Sequence, residues 1–141
     1  MKGKKEFDKL SWSDEYSSGL LYLDNHRRNF LDILNELVEV VNEDSCETML
    51  PMIFHRLAFY AEDYFTNKEI GMQECQHLPI HNYRAEHDRF TKAIARFHDE
   101  FRHGSLSVCR DMLVFLTDWF QGYIETFGPD AADYLRKRGY E

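Results

Sequence analysis

His26, Tyr64, Lys68, Tyr83, His87 and Tyr123 are the residues of this chain whose types and placement can carry chemistry. Imidazole, phenol and ammonium groups all hydrogen-bond. Imidazole nitrogens and phenolate oxygens are also metal donors. A polar cluster inside an apolar bundle is costly unless its members pair or bind something. Two readings stay open. One is a ligand pocket. The other is a set of amphipathic core tyrosines and satisfied histidines joined in a metal-free hydrogen-bonded network.

The elements that must position them are helical. The chain has 141 residues, about one domain's worth, with only three Pro and seven Gly. Residues 1–19 read as an irregular arm carrying Trp12 and ending near Ser17-Ser18-Gly19. The first helix is expected from about Leu20 to Asn42, with an apolar stripe of Phe30, Ile33, Leu34, Leu37 and Val41 at spacings of three and four. Asn42-Glu43-Asp44-Ser45 ends it and can cap the next. The second runs from about Cys46 to Met72, with Pro51 tolerated near its start. Ile53, Leu57, Tyr60 or Ala61, Tyr64, Lys68 and Met72 face inward. The third runs from near Pro79 to about Arg102 on the stripe Tyr83, His87, Phe90, Ile94, Phe97 and Phe101. After the turn His103-Gly104-Ser105, the fourth runs from about Leu106 to Phe127, with Met112, Leu116, Trp119 and Tyr123 inward. Gly128-Pro129 is expected to stop it, leaving a tail over 129–141.

Four such helices with short connections imply an all-α, antiparallel up-down-up-down bundle, one domain over residues 1–141 with the bundle at about 20–128. Helix ends then alternate. The six polar residues all fall near the same end of the bundle, on or beside inward stripes.

Composition narrows the partners. The chain is 43% hydrophobic, 15% aromatic and 30% charged, enough to bury a core. A net charge of −8 argues against nucleic acid or an anionic membrane as partner. The start, MKGKKEFDKL, has no apolar run behind it, so neither a signal peptide nor a membrane span is expected there. Cys46, Cys75 and Cys109 are odd in number and far apart, and are expected to be reduced thiols in a cytoplasmic protein. His77 and His81 flank Pro79, which makes helical pairing doubtful, while His55, His98 and His103 are expected at the surface. No catalytic motif is present, so an enzyme is not expected. Oligomeric state, small ligand and protein partner are not legible.

The segment Trp12 to His26, WSDEYSSGLLYLDNH, resembles the opening of bacterial hemerythrins, where a Trp precedes a small-residue turn and an Asp stands two residues before the first iron-binding His. Asp24 and His26 match. YFTNKEIGM, residues 64–72, falls where that family has His-Phe-x-x-Glu-Glu-x-x-Met. Tyr83 and His87, followed by Phe90, fall where it has two His four apart and then Phe. WFQGYIETFG falls on Trp-Leu-x-x-His-Ile and a later Asp, with Trp119 and Ile124 matching. The resemblance spans residues 12–135.

It implies a bundle in which five His and two bridging carboxylates hold two irons that bind oxygen reversibly. Carried over, only His26 and His87 survive, with Asp24 and Trp119 as supporting residues. Tyr64, Tyr83 and Tyr123 stand where His is implied. Lys68 stands where a bridging Glu is implied, and Gly128 where the bridging Asp is implied. Asp130 lies two residues later. An ammonium among the donors repels a metal pair, since like charges in a poorly screened site are costly. The favoured expectation is therefore a hemerythrin-like protein with a degenerate site and no metal, acting in binding, sensing or structure. One alternative is a single ferric ion held by tyrosinate oxygens and His26 or His87. The other is an ordinary oxygen- or iron-binding member of the family.

Overall fold

The computed structural model describes residues 7–62, 80–137 and 139, with the backbone alone at 22, 81–84, 86 and 123–135. A short 3-10 turn, Asp14–Tyr16, precedes α1 (Leu21–Asn42), α2 (Cys46–Ala61), α3 (Ile80–Arg102) and α4 (Val108–Lys137). No strand occurs among the described residues. α1 packs on α2 and α4, and α3 packs on α4 and α2, so the helices close a ring in chain order. No helix among the described residues is long and apolar enough to cross a membrane.

The three-four stripes do the packing. Phe30, Ile33, Leu34, Leu37 and Val41 of α1 are buried, as are Ile53, Leu57 and Tyr60 of α2, Phe90 and Phe97 of α3, and Met112, Leu116 and Trp119 of α4. Ile94 and Phe101 are half-buried and pack against this core. Between α1 and α2 the chain reverses through Asp44, which takes the left-handed conformation at φ 55°. Gly104 does the same between α3 and α4 at φ 81°, where glycine pays no Cβ penalty.

Four local expectations need correction. Ser45 sits at the N-cap of α2 but makes no side-chain cap bond. Its N–H and hydroxyl both reach back to the Val40 carbonyl, closing the α1 terminus instead. Pro51 lies in the second turn of α2, not the first. Gly128-Pro129 does not stop the last helix, which continues to Lys137. Proline disfavours a helical residue before it mainly through a clash with that residue's Cβ, and Gly128 has none; the missing N–H then costs one hydrogen bond. Finally, Cys46 and Cys109 form a disulfide, with Cα atoms 6.2 Å apart. Both lie in the first turn of a helix, and α2 and α4 begin at the same end of the bundle. Their 63-residue separation in sequence therefore vanishes in space. The pairing removes the ground for expecting reduced thiols and hence a cytoplasmic location. Cys75 lies outside the described residues.

The arm lies antiparallel along α1. Asn42 accepts from the Phe7 N–H at 3.0 Å and donates to the Phe7 carbonyl at 2.8 Å. Asn35 makes the same pair of bonds with Leu10, both at 2.8 Å. Lys9 pairs with Glu39 at 2.9 Å, and the Arg28 guanidinium sits 4.2 Å from the centre of the Trp12 ring. Tyr16 then meets Phe120 edge-on at 5.3 Å, which carries the arm onto the core.

Candidate functional site

The site end of the bundle rests on a layer of aromatic rings contributed by all four helices. Phe30 of α1 lies 5.2 Å from Tyr60 of α2, 6.3 Å from Phe90 of α3 and 5.2 Å from Trp119 of α4. It also stacks on Phe120 at 5.3 Å. Trp119 and Phe90 are 4.7 Å apart. Phe30, Phe90 and Trp119 are each no more than 2% exposed. This layer fixes the relative register of the helices. Positions 26, 87 and 123 lie about one helical turn beyond it, toward the end expected to carry the chemistry.

His26 and His87 are both half-buried. They line different grooves. His26 lines a groove of about 200 Å³ between α1 and α2, with Asn29, Ile33, Arg56, Phe59 and Tyr60. His87 lines a groove of about 770 Å³ between α2 and α3, with Ala58, Ala61, Glu62, Thr91 and Ile94 among its walls. His55 touches both grooves. His55, His98 and His103 are exposed. The ring of His98 packs edge-on against Phe54 at 4.9 Å. Tyr64, Lys68 and His77 lie outside the described residues, and so do the side chains of His81, Tyr83 and Tyr123. Gly128 is a helical position of α4. Among the described residues no group of three or more His, Cys, Asp or Glu is placed to hold a metal ion.

Asp24 serves the arm. Its carboxylate accepts from the Ser17 hydroxyl at 2.7 Å, the Ser18 N–H at 2.7 Å and the Ser18 hydroxyl at 2.8 Å. Positions two apart on a helix point about 200° from one another, so Asp24 and His26 leave α1 on different sides. Burial works to raise the Asp24 pKa. The bonds from Ser18 and Ser17 and the nearby Arg27 guanidinium outweigh it and hold the carboxyl below its ordinary value. Arg27, 5% exposed, donates to the Tyr16 carbonyl at 2.8 Å and so ties the same junction. Trp119 belongs to the aromatic layer.

Sequence reading missed the grooves and the arm's clasps. The signal for the clasps was present: Asn35 and Asn42 are seven residues apart on α1, hence on one face. The rotation that sends His26 and His87 into separate grooves left no such mark.

No family model matches the chain. It is 27% identical over 118 residues to a bacteriohemerythrin of Clostridium acetobutylicum, covering 80% of this chain and 91% of that protein. It is 21% identical over 130 residues to a bacteriohemerythrin of Ralstonia nicotianae, covering 92% of this chain and 91% of that one. Four helices in the expected order, matched nearly from end to end by two bacteriohemerythrins, make this a hemerythrin-like four-helix bundle.

Proposed function

We propose that this chain is a hemerythrin-like module without a di-iron centre, one that binds, senses or scaffolds instead of carrying oxygen, and that it is not an enzyme. The donor set carries this reading. Of seven positions implied by the resemblance, His26 and His87 keep a histidine. Lys68 replaces a bridging carboxylate with a cation, and Gly128 replaces the other with no side chain. α4 is continuous through Gly128 and Pro129. Position 130 is therefore about 200° around the helix from position 128, so Asp130 does not take over by a small shift. Two irons bring a charge of +4, and this set of residues lacks the anions to offset it. The residues present do not fit a di-iron centre.

A second reading rests on Tyr64, Tyr83 and Tyr123. Three phenols at implied ligand positions are hard donors for one ferric ion, together with His26 or His87. Metal analysis and the visible spectrum of freshly purified protein separate the readings. Iron-free, colourless protein is the expected result. One iron per chain with a phenolate charge-transfer band establishes the second reading. Two irons with oxo-bridge absorption overturn both.

A further inference from the structure

α2 carries two stripes. The inner one, Leu50, Ile53, Leu57 and Tyr60, is buried in the core. The outer one is Thr48, Met52, His55 and Phe59, again spaced four, three, four, and every member is exposed. Phe59 is 71% exposed and Met52 44%. A four-three seam is the pattern by which helices pack on one another with knobs in holes. Phe59 is the knob. Around it lie the α1–α2 groove, which it lines, and the wider α2–α3 groove floored by Ala58 and Ala95.

Charge says what covers this face. The chain carries −8 overall and 30% of its residues are charged. Between Cys46 and Ala61 only Glu47 and Arg56 are charged, and Arg56 is already paired with Glu36 of α1. Two like-charged copies repel through most approaches. Here they bring together a stripe with no net charge. A strongly acidic or basic partner finds no counter-charge on it.

We propose that the outer face of α2 is the interface of a homodimer. Two copies pack α2 against α2, antiparallel, about a twofold axis beside His55. Phe59 of each copy seats among Pro51, Met52 and His55 of the other. The contact is isologous, as twofold symmetry requires, because knob and hole belong to the same helix. A helix of 16 residues is about 24 Å long. Alone it supplies less than the roughly 800 Å² per partner typical of tight complexes, so the dimer dissociates reversibly at micromolar concentrations.

Sedimentation velocity of the full chain, from low micromolar to submillimolar, tests this. The parent is expected to move reversibly from monomer toward twice the monomer mass. Phe59→Glu buries an unpaired charge at the contact and is expected to weaken association at least about tenfold. Met52→Lys, an independent change on the same stripe, does likewise. Val114→Glu, at an exposed apolar position of α4 (54% exposed), dimerises like the parent. All three sites are exposed, so the far-ultraviolet circular dichroism of each variant is expected to match the parent. A parent that stays monomeric overturns the proposal, and the face is then open to some other helix. So does a dimer unaffected by Phe59→Glu or Met52→Lys, or one lost equally in Val114→Glu.

Discussion

At the end of the bundle where α2 and α4 begin, Cys46 and Cys109 are bonded, and the side chains beside them, Leu50, Val108 and Met112, are all at 0% exposure. At the other end, the Phe30 layer is the last aromatic layer, and one turn beyond it His26 and His87 are half-buried, each open to a groove. The first end is closed covalently and packed with apolar groups. The second holds polar side chains and is tied by hydrogen bonds, through Asp24 and Arg27 to the arm. Rigid cross-links sit where no chemistry is placed. Polar groups in a bundle cost stability, and the closed end supplies stability without asking anything of the open one.

Breaking the closed end is expected to have the largest effect. Cys46→Ala with Cys109→Ala, or reduction of the parent, frees a crosslink spanning 63 residues. The unfolded chain gains conformational freedom, and stability is expected to fall by about 2–4 kcal/mol. Urea denaturation with and without reductant measures it. If the two ends are as independent as the geometry implies, the imidazole NMR signals of His26 and His87 stay put while the midpoint moves. An unchanged midpoint means the two thiols are not paired in the protein.

At the open end the matching cut is Asp24→Asn. It removes the charge and leaves a weaker acceptor for Ser17 and Ser18, at a cost of about 1–3 kcal/mol near neutral pH. The sign of its pH dependence follows from the depressed folded-state pKa. The unfolded aspartate titrates at about 3.9. Asp24 thus contributes fully above that value, and its contribution fades as pH falls through the lower folded-state pKa. The stability gap between parent and Asp24→Asn is expected to be constant from neutral pH to about 5 and to close below about 4. A gap that widens on acidification contradicts the hydrogen-bonded, ionised Asp24.

The contrast between the ends also explains what the sequence disclosed. Helix order and the Phe30, Phe90 and Trp119 stripes were legible because three-four periodicity is a direct imprint of which face meets the core. The Cys46–Cys109 bond was hidden by linear distance, although both cysteines open helices that start at one end. Gly128-Pro129 misled because a breaker pair is read from each residue's average habit, while here the glycine relieves the proline's clash. The convergence of Tyr64, Lys68, Tyr83 and Tyr123 on His26 and His87 is an inference from spacing and family likeness, and those side chains lie outside the described residues. Spacing fixes the level of a residue along a helix far better than its rotation, and rotation is what separates the His26 groove from the His87 groove.

The smallest effect is expected at the arm, where the open end's hydrogen bonding continues along α1. Seven helical residues rise about 10.5 Å, and three extended residues span about 10 Å. That coincidence lets Asn35 and Asn42 clasp Leu10 and Phe7 through their backbones, like two rungs of a ladder. The arm is anchored at Asp24, so Leu10 lies nearer the anchor and Phe7 farther out. Each clasp is only part-buried, and water replaces much of a lost bond, so Asn→Ala at either costs about 1 kcal/mol in global stability. Their local effects are expected to differ. Asn42→Ala frees the outer rung and speeds hydrogen exchange at the Phe7 amide, leaving Leu10 protected. Asn35→Ala removes the inner rung. The loop between the anchor and Asn42 lengthens, Phe7 is held less often against its clasp, and both amides exchange faster. Equal exposure of Leu10 in the two variants shows instead that the arm leaves α1 as one unit, held by Trp12 on Arg28 and Tyr16 on Phe120 more than by its asparagine rungs.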